Sequence, residues 1–218
     1  VASEGWACWA LSNHDVMRHT TRWELSEDAQ KAYLTLMLLL RGSVCLYQGE
    51  ELALPEAEVA FEDLQDPYGI EFWPEFKGRD GCRTPMVWEP SNMSGGFSTA
   101  KPWLPVASDH LSRSAKTQSS DQASMLHFYK AALAFRAQHA VLSKGAQSKV
   151  DTHGDIVLFE RSLEGVSVLC AVNLSAQAQT LAVSGNFEDI GGALSGASLQ
   201  DTQLSLKPWG AAILRRND

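Results

Sequence analysis

Three polar residues in a row, Asn13-His14-Asp15, stand between the apolar stretch "ACWALS" and the basic run "MRHTTRW". A core cannot hold such side chains unpaired, because a buried amide, imidazole or carboxylate without a partner costs several kcal/mol, on the order of 2–7 for a neutral group. A strand end that opens onto a ligand can hold them. A polyhydroxylated substrate would supply a donor and an acceptor at every hydroxyl. Gly49-Glu50-Glu51 follows a second apolar stretch, "SVCLYQ", in the same way. The plainer reading is that His14 and Asp15 cap the following turn, as Asp often does. Position alone leaves both readings open.

The elements that must carry these residues can be read from the spacing of apolar positions. Residues 8–12 read as a buried strand ending at Asn13. Residues 26–41 read as a helix: "SEDA" offers an N-cap Ser with acidic residues in the first turn, and Leu34, Met37, Leu38 and Arg41 keep helical spacing. Gly42 ends that helix, and residues 43–48 read as a second fully buried strand. Strand, capped helix and strand together predict a βαβ unit with parallel strands. In a parallel α/β barrel the site lies at the C-terminal strand ends, where Asn13-His14-Asp15 and Gly49-Glu50-Glu51 both fall.

Regular patterns vanish from 49 to 105. Seven of the eight prolines lie there, with Phe61, Tyr68, Phe72, Trp73, Phe76, Trp88, Phe97 and Trp103. A long loop so rich in aromatics is expected to be functional rather than disordered. Trp88, Phe97 and Trp103 are candidate faces for sugar stacking, with ordinary loop packing as the alternative. Residues 119–139 then read as an amphipathic helix with Met125, Phe128, Tyr129, Ala132 and Phe135 on one face and Ser120 or Asp121 as cap. From Gly145 the texture changes. "DIVLFERS", "VSVLCAVNL", "TLAVSG" and "AAILRR" are short strand-like runs between Gly, Asn and Ser turns, as in a small antiparallel β domain.

The bulk composition excludes several classes. The 218 residues are 44% hydrophobic and 20% charged, an ordinary globular balance, with net charge −8. An acidic chain is a poor partner for nucleic acid, which needs clustered Lys and Arg. The longest apolar run, "LTLMLLL", is far short of the about 20 residues of a membrane span. Cys8, Cys45, Cys82 and Cys170 are widely spaced and read as small apolar fillers in a reducing compartment. No signal peptide is visible and the cytoplasm is the expectation, with the opening Val rather than Met pointing to an N-terminus that lies upstream. No metal site is expected: His14 and Asp15 are adjacent, a spacing that rarely aims both at one ion, and the other histidines, including His19, form no ligand pattern. No cofactor is called for.

The ordered set "LSNHD", "MRHTTRW", "LYQGEELAL", "DPYGIEFWPEFKGRDGCRTPMVW" and "GGFSTAKPWLPV" closely resembles the C-terminal part of the α-glucosidase and oligo-1,6-glucosidase branch of the α-amylase superfamily. The resemblance runs through residues 5–140, and "RDGCRTPM" in that order is its most specific part. It implies an α/β fold: the C-terminal portion of a (β/α)8 TIM barrel, residues 1–144 supplying its last two βα units and a long active-site loop at 49–105. A small antiparallel all-β domain of Greek-key or sandwich type then occupies residues 145–218. It implies that Asp15 is the third essential carboxylate, holding sugar hydroxyls and favouring the oxocarbenium-like transition state. His14 beside it binds the same sugar, Arg79 of "RDG" reaches the substrate, and Asn13 and Arg83 support them. Glu51, Glu62, Asp63 and Asp66 lie in loops that could line an outer subsite.

The resemblance also places the nucleophilic Asp and the acid/base Glu on earlier barrel strands, upstream of Val1. A (β/α)8 barrel takes about 250 residues, so the N-terminal remainder of the barrel is an expected partner of this chain. The expected substrate is an α-glucosidic oligosaccharide or disaccharide. Two alternatives stand beside hydrolysis. One is a non-catalytic carbohydrate- or partner-binding protein on the same scaffold. The other is glucosyl transfer or sucrose isomerisation through the same covalent intermediate.

Overall fold

A computed structural model describes residues 5–217. By their internal contacts these residues fall into two compact units. One comprises the chain up to Trp9, Glu27–Val44 and Tyr129 onward; the other comprises Ala10–Ser26 and Cys45–Phe128.

The first unit opens with β1 (Cys8–Trp9) and β2 (Ser43–Val44), which pair in parallel with Cys8 opposite Ser43 and Trp9 opposite Val44. Both strands are shorter than the apolar runs predict, and Cys8, Trp9 and Cys45 are exposed rather than buried. Among the described residues each strand has one neighbour only, so no ladder extends the pairing. Of the four cysteines, all free, only Cys82 and Cys170 are the buried fillers expected.

Between these strands runs α2 (Glu27–Leu39), after the short α1 (His19–Arg22) of the second unit. Glu27 and Asp28 place negative charge in the first turn of α2, where the helix dipole favours it. Ala29, Ala32, Leu34, Met37, Leu38 and Leu39 are buried. Its last turn leaves carbonyls that no residue within the helix can satisfy. Two distant arginines do so. Arg136 donates to the carbonyls of Leu38, Leu40 and Gly42, and the fully buried Arg161 donates to that of Leu39. Cationic donors at a helix C-terminus also meet the negative end of its dipole.

The second unit carries α3 (Pro67–Glu71), α4 (Asp80–Arg83), α5 (Ser108–Leu111) and α6 (Ala115–Ser119). The remainder of 49–105 is irregular apart from single 3-10 turns at Glu50–Leu52 and Phe61–Asp63. Its apolar centres are small. Leu52, Leu54, Met86 and Val87 form one; Val59, Leu64 and Leu104 form another, against Trp73. Much of the cohesion comes from side chains bonded to main chain. Thr20 Oγ1 donates to the Leu54 carbonyl, Gln118 Nε2 to that of Leu52, and the Glu56 amide to Thr21 Oγ1. Trp88, Phe97 and Trp103 are exposed.

The predicted helix at 119–139 begins later, as α7 (Met125–Gln138), with Met125, Tyr129 and Ala132 buried as its spacing requires. Ser120 and Asp121 belong to the turn after α6, and it is Ser124 whose hydroxyl accepts from the His127 amide. The short α8 (Ala140–Ser143) leads into the strands of the first unit.

These strands are β3 (Ala146–His153), β4 (Ile156–Leu163), β5 (Val166–Asn173), β6 (Gln179–Ala182), β7 (Phe187–Asp189), β8 (Ala197–Gln200), β9 (Gln203–Leu206) and β10 (Ala211–Arg216). They form an antiparallel five-stranded sheet, in the order β3-β4-β5-β10-β7, and an antiparallel three-stranded sheet, β6-β9-β8. Ile156, Leu169, Ala171, Ala212 and Leu214 of the larger sheet pack with Leu181, Leu204 and Leu206 of the smaller. The opposite face of β4 and β5 meets α2 and α8. Burial on both faces is why "VSVLCAVN" is almost continuously apolar rather than alternating.

Arg161 sits on that second face and also donates to the Gly145 carbonyl at 2.9 Å and the Ala146 carbonyl at 3.2 Å. Burial pushes its guanidinium down to about 10, so it still carries its charge near neutrality. Arg161→Met keeps the stem and strands three carbonyls. It should lower the unfolding free energy by about 3 kcal/mol in urea titrations, since each orphaned buried acceptor costs about 1 kcal/mol or more.

Candidate active site

The second unit brings Asp15, His14, Arg79 and Arg83 together. The turn that presents Asp15 is closed by Asn13, whose Oδ1 accepts the Asp15 amide at 2.8 Å. Asn13 is therefore the capping residue, and the Asp15 carboxylate remains free for other partners. Arg79 Nη1 donates to Asp15 Oδ1 at 3.0 Å and Arg83 Nη2 donates to the same oxygen at 3.1 Å. Arg83 Nε donates to the His14 carbonyl at 2.8 Å. The other carboxylate oxygen, Oδ2, lies 3.2 Å from His14 Nε2. About half of the Asp15 side chain is exposed.

Arg79 is held from behind by Asp66, a residue to which sequence reasoning attached no definite role. Its Nε and Nη2 donate to the two oxygens of Asp66 at 2.8 and 2.9 Å, and its amide adds a third bond at 2.8 Å. This forked pairing fixes the plane of the guanidinium as well as its place. Asp66 is buried, so it cannot line an outer subsite as a free carboxylate. The Arg79 guanidinium holds the Asp66 carboxyl well below the usual carboxylate range. Asp66 also caps α3, accepting from the Tyr68 amide, with Pro67 in the first turn. Behind it, the fully buried Asp80 accepts the amides of Gln65 and Asp66 at 2.6 and 2.7 Å. The local sequence permits this packing at two glycines. A Cβ on Gly69 would lie 2.6 Å from the Lys77 carbonyl oxygen, and Gly78, at φ +76°, has the Gly69 Cα 2.8 Å from where its own Cβ would be.

Of the other loop carboxylates, Glu51 accepts the Gly49 amide, Asp63 pairs with Lys101, and Glu62 is exposed. Asp15 and Arg79 border an open cavity of about 570 Å³, which Glu56, Glu58, Phe76 and Lys77 also line. A space of this size can take a small ligand, and charged groups alternate along it with apolar ones such as Val16, Met17 and Phe76. Among the described residues no three His, Cys, Asp or Glu side chains come together as a metal site, and no helix is long and apolar enough to cross a membrane.

Of the strand-end residues Gly49-Glu50-Glu51, Glu50 is buried rather than presented to a ligand, and it lies beside His19, to which no role was attached. Both are buried, with Glu50 Oε1 3.9 Å from His19 Nδ1, and Ser12 Oγ 2.8 Å from that same nitrogen. Neither Glu50 oxygen has a hydrogen bond of ordinary geometry. Burial pushes Glu50 up to about 7, outweighing the Tyr47 backbone and the Arg18 guanidinium. Burial, reinforced by Arg22 and Arg18, pushes His19 down to about 4. Both are therefore neutral in weakly acidic solution.

Comparison with known proteins identifies the class. Residues 1–145 match the family model for the α-amylase catalytic domain, and the chain belongs to that family. It is 50% identical to a probable α-glucosidase of Rhizobium meliloti (strain 1021), over 98% of this chain and 40% of that protein. It is 26% identical to an oligo-1,6-glucosidase of Heyndrickxia coagulans, over 98% of this chain and 42% of the relative. Among solved structures, the α-glucosyl transfer enzyme XgtA superposes with a TM-score of 0.91 at 45% identity, covering 98% of this chain and 41% of XgtA. The trehalulose synthase MutB from Pseudomonas mesoacidophila MX-45 shares the fold, with a TM-score of 0.79 at 24% identity over 99% of this chain and 44% of MutB. The chain thus spans about two fifths of the length of these relatives.

The Glu50–His19 pair generates a pH prediction. The raised Glu50 stabilises the fold fully below about pH 4.5, and that contribution is lost as pH rises through about 7. The lowered His19 does the reverse: its contribution is full above about pH 6.5 and lost as pH falls through about 4. Between pH 4.5 and 6.5 the two slopes oppose each other. Glu50→Gln removes one and exposes the other, so the urea midpoint of the variant should drop more steeply than the parent's from pH 6.5 to 4.5. Parallel curves would dismiss the pairing.

Proposed function

We propose that this chain is the C-terminal part of a retaining α-glucosidase that releases terminal α-linked glucose from short oligosaccharides and disaccharides. Residues 1–144 form the last two βα units of its (β/α)8 barrel, with 49–105 as the active-site loop, and residues 145–218 form a Greek-key β domain. The parallel pairing of β1 with β2 and the antiparallel strands after Gly145 support that assignment. The remainder of the barrel supplies a carboxylate nucleophile and a protonated carboxylic acid, about 5 Å apart as retention requires.

The observation that carries the reading is the Asp15 carboxylate at the cavity rim, with one oxygen held by two arginines and the other beside His14. In this role Asp15 accepts glucose hydroxyl protons in bonds that strengthen as positive charge develops on the ring, which lowers the barrier rather than merely tightening binding. His14 contacts the same sugar. Arg79, already fixed by Asp66, directs donors towards the substrate without having to be reorganised on binding. Arg83 and Asn13 hold the turn. The likeness to XgtA, an α-glucosyl transfer enzyme, supports a second reading in which another sugar or alcohol replaces water as acceptor.

In the full-length enzyme Asp15→Asn should lower kcat at least about 100-fold, the scale of losing a transition-state contact, with an unchanged circular dichroism spectrum. A kcat near that of the parent would remove Asp15 from the role. The 218-residue chain by itself should not turn over p-nitrophenyl α-glucoside, and measurable release of nitrophenol would contradict the division of labour. Product analysis of the full-length enzyme on maltose, isomaltose and sucrose separates hydrolysis from transfer.

A further inference from the structure

Arg18 lies in the same loop as Asp15 and is almost completely buried, yet its guanidinium forms no salt bridge. It is spent on main chain. Nη1 donates to the Gln48 carbonyl at 2.8 Å and Nη2 to the Cys82 carbonyl at 3.1 Å. The guanidinium lies 5.3 Å from the centre of the Tyr47 ring, and the Tyr47 hydroxyl donates to that same Cys82 carbonyl at 3.0 Å. The Arg18 amide is in turn held by Glu56 Oε2 at 2.8 Å. One side chain therefore ties three segments: the loop that bears Asp15, the turn after β2, and α4.

Those ties bear on the site. Cys82 precedes Arg83, whose guanidinium grips Asp15 and the His14 carbonyl, and α4 follows directly on Arg79. Fixing the Cys82 carbonyl to Arg18 thus fixes the spacing between the Asp15 turn and both arginines that meet it. The turn after β2 has made room for this. Gly49 has φ +89°, which by itself favours glycine, and a Cβ there would lie 2.8 Å from both Arg18 Nη1 and Leu54 Cδ1 and 3.2 Å from Arg18 Nη2. Lysine could not substitute: its point-like ammonium lacks the planar fork that reaches two diverging carbonyls.

We infer that Arg18 is the positioning residue that sets Asp15 against Arg79 and Arg83, and that a side chain at position 49 would crowd its guanidinium. This rests on the proposed role of Asp15, and kinetics of the full-length enzyme separate the two. A displaced transition-state carboxylate weakens the chemical step more than substrate binding, and a misplacement of about 1 Å can cost about 100-fold. Arg18→Lys and Gly49→Ala, each assayed well below its melting temperature, should lose roughly 10- to 100-fold in kcat on p-nitrophenyl α-glucoside, with KM moving less than about threefold. Added guanidinium should recover part of the kcat of Arg18→Ala. If folded Arg18→Lys keeps kcat within about twofold of the parent, or activity falls only in proportion to the folded fraction, the inference is overturned. Unfolding of both Arg18→Lys and Gly49→Ala at the assay temperature overturns it too, in favour of a purely structural arginine. A parent enzyme without turnover would instead strike at the role of Asp15 itself.

Discussion

The second unit depends on one constraint: a main chain without ladders must still have its buried amides and carbonyls paired. From Glu50 to Pro105 there is no strand and no helix longer than α3, so backbone pairing is confined to turns and isolated bonds such as Ala57 N to the Gly81 carbonyl and Trp88 N to the Gly95 carbonyl. Side chains supply further partners. Asp80 takes two amides, Arg18 two carbonyls, and Thr20, Thr21 and Gln118 one group or more each. Each bond ties points distant in sequence, so the loop is shaped by a few polar residues rather than by an apolar core. A segment organised in this way can be stiff without being regular, which suits a loop that must present charged groups at fixed places.

The site inherits that stiffness. Asp15 has two guanidinium groups on one oxygen, and each is anchored elsewhere: Arg79 by both oxygens of Asp66, Arg83 by the His14 carbonyl. Asp66 is placed in turn by Asp80, through its backbone amide. The sequence of supports runs outward from carboxylate to arginine to carboxylate to main chain, and each link is a charge-assisted bond of ordinary length. Groups fixed before a ligand arrives need not be reorganised when it binds, which is the condition under which electrostatic contacts count most.

How much of this is legible in the sequence depends on whether a feature is periodic. The helix α2 and the strands β4, β5 and β10 have extents close to those read from spacing, whereas β3, β7, β8 and β9, more polar and exposed, were not picked out. The motif residues Asn13, His14, Asp15, Arg79 and Arg83 could be picked out because they form short ordered strings. Arg18 and His19 could not, and Asp66 and Glu50 were named without the partners that bury them. Their importance lies in contacts across 13 to 64 positions, and such contacts leave no local signature. The apolar runs at 8–12 and 43–48 predicted more strand than β1 and β2 contain, because hydrophobicity reports a tendency to be covered and not the presence of a cover.

Arg161 has one more implication. Its side chain, from the middle of β4, reaches back to close the final turn of α2, and β5 beside it packs on the same helix. The C-terminal strands thus cover a helix formed by residues 27–39 as well as one another. Cutting the polypeptide after Gly145 would keep Arg136 at the end of α2 but remove the Arg161 donor from the Leu39 carbonyl and uncover the flank that β5 packs against.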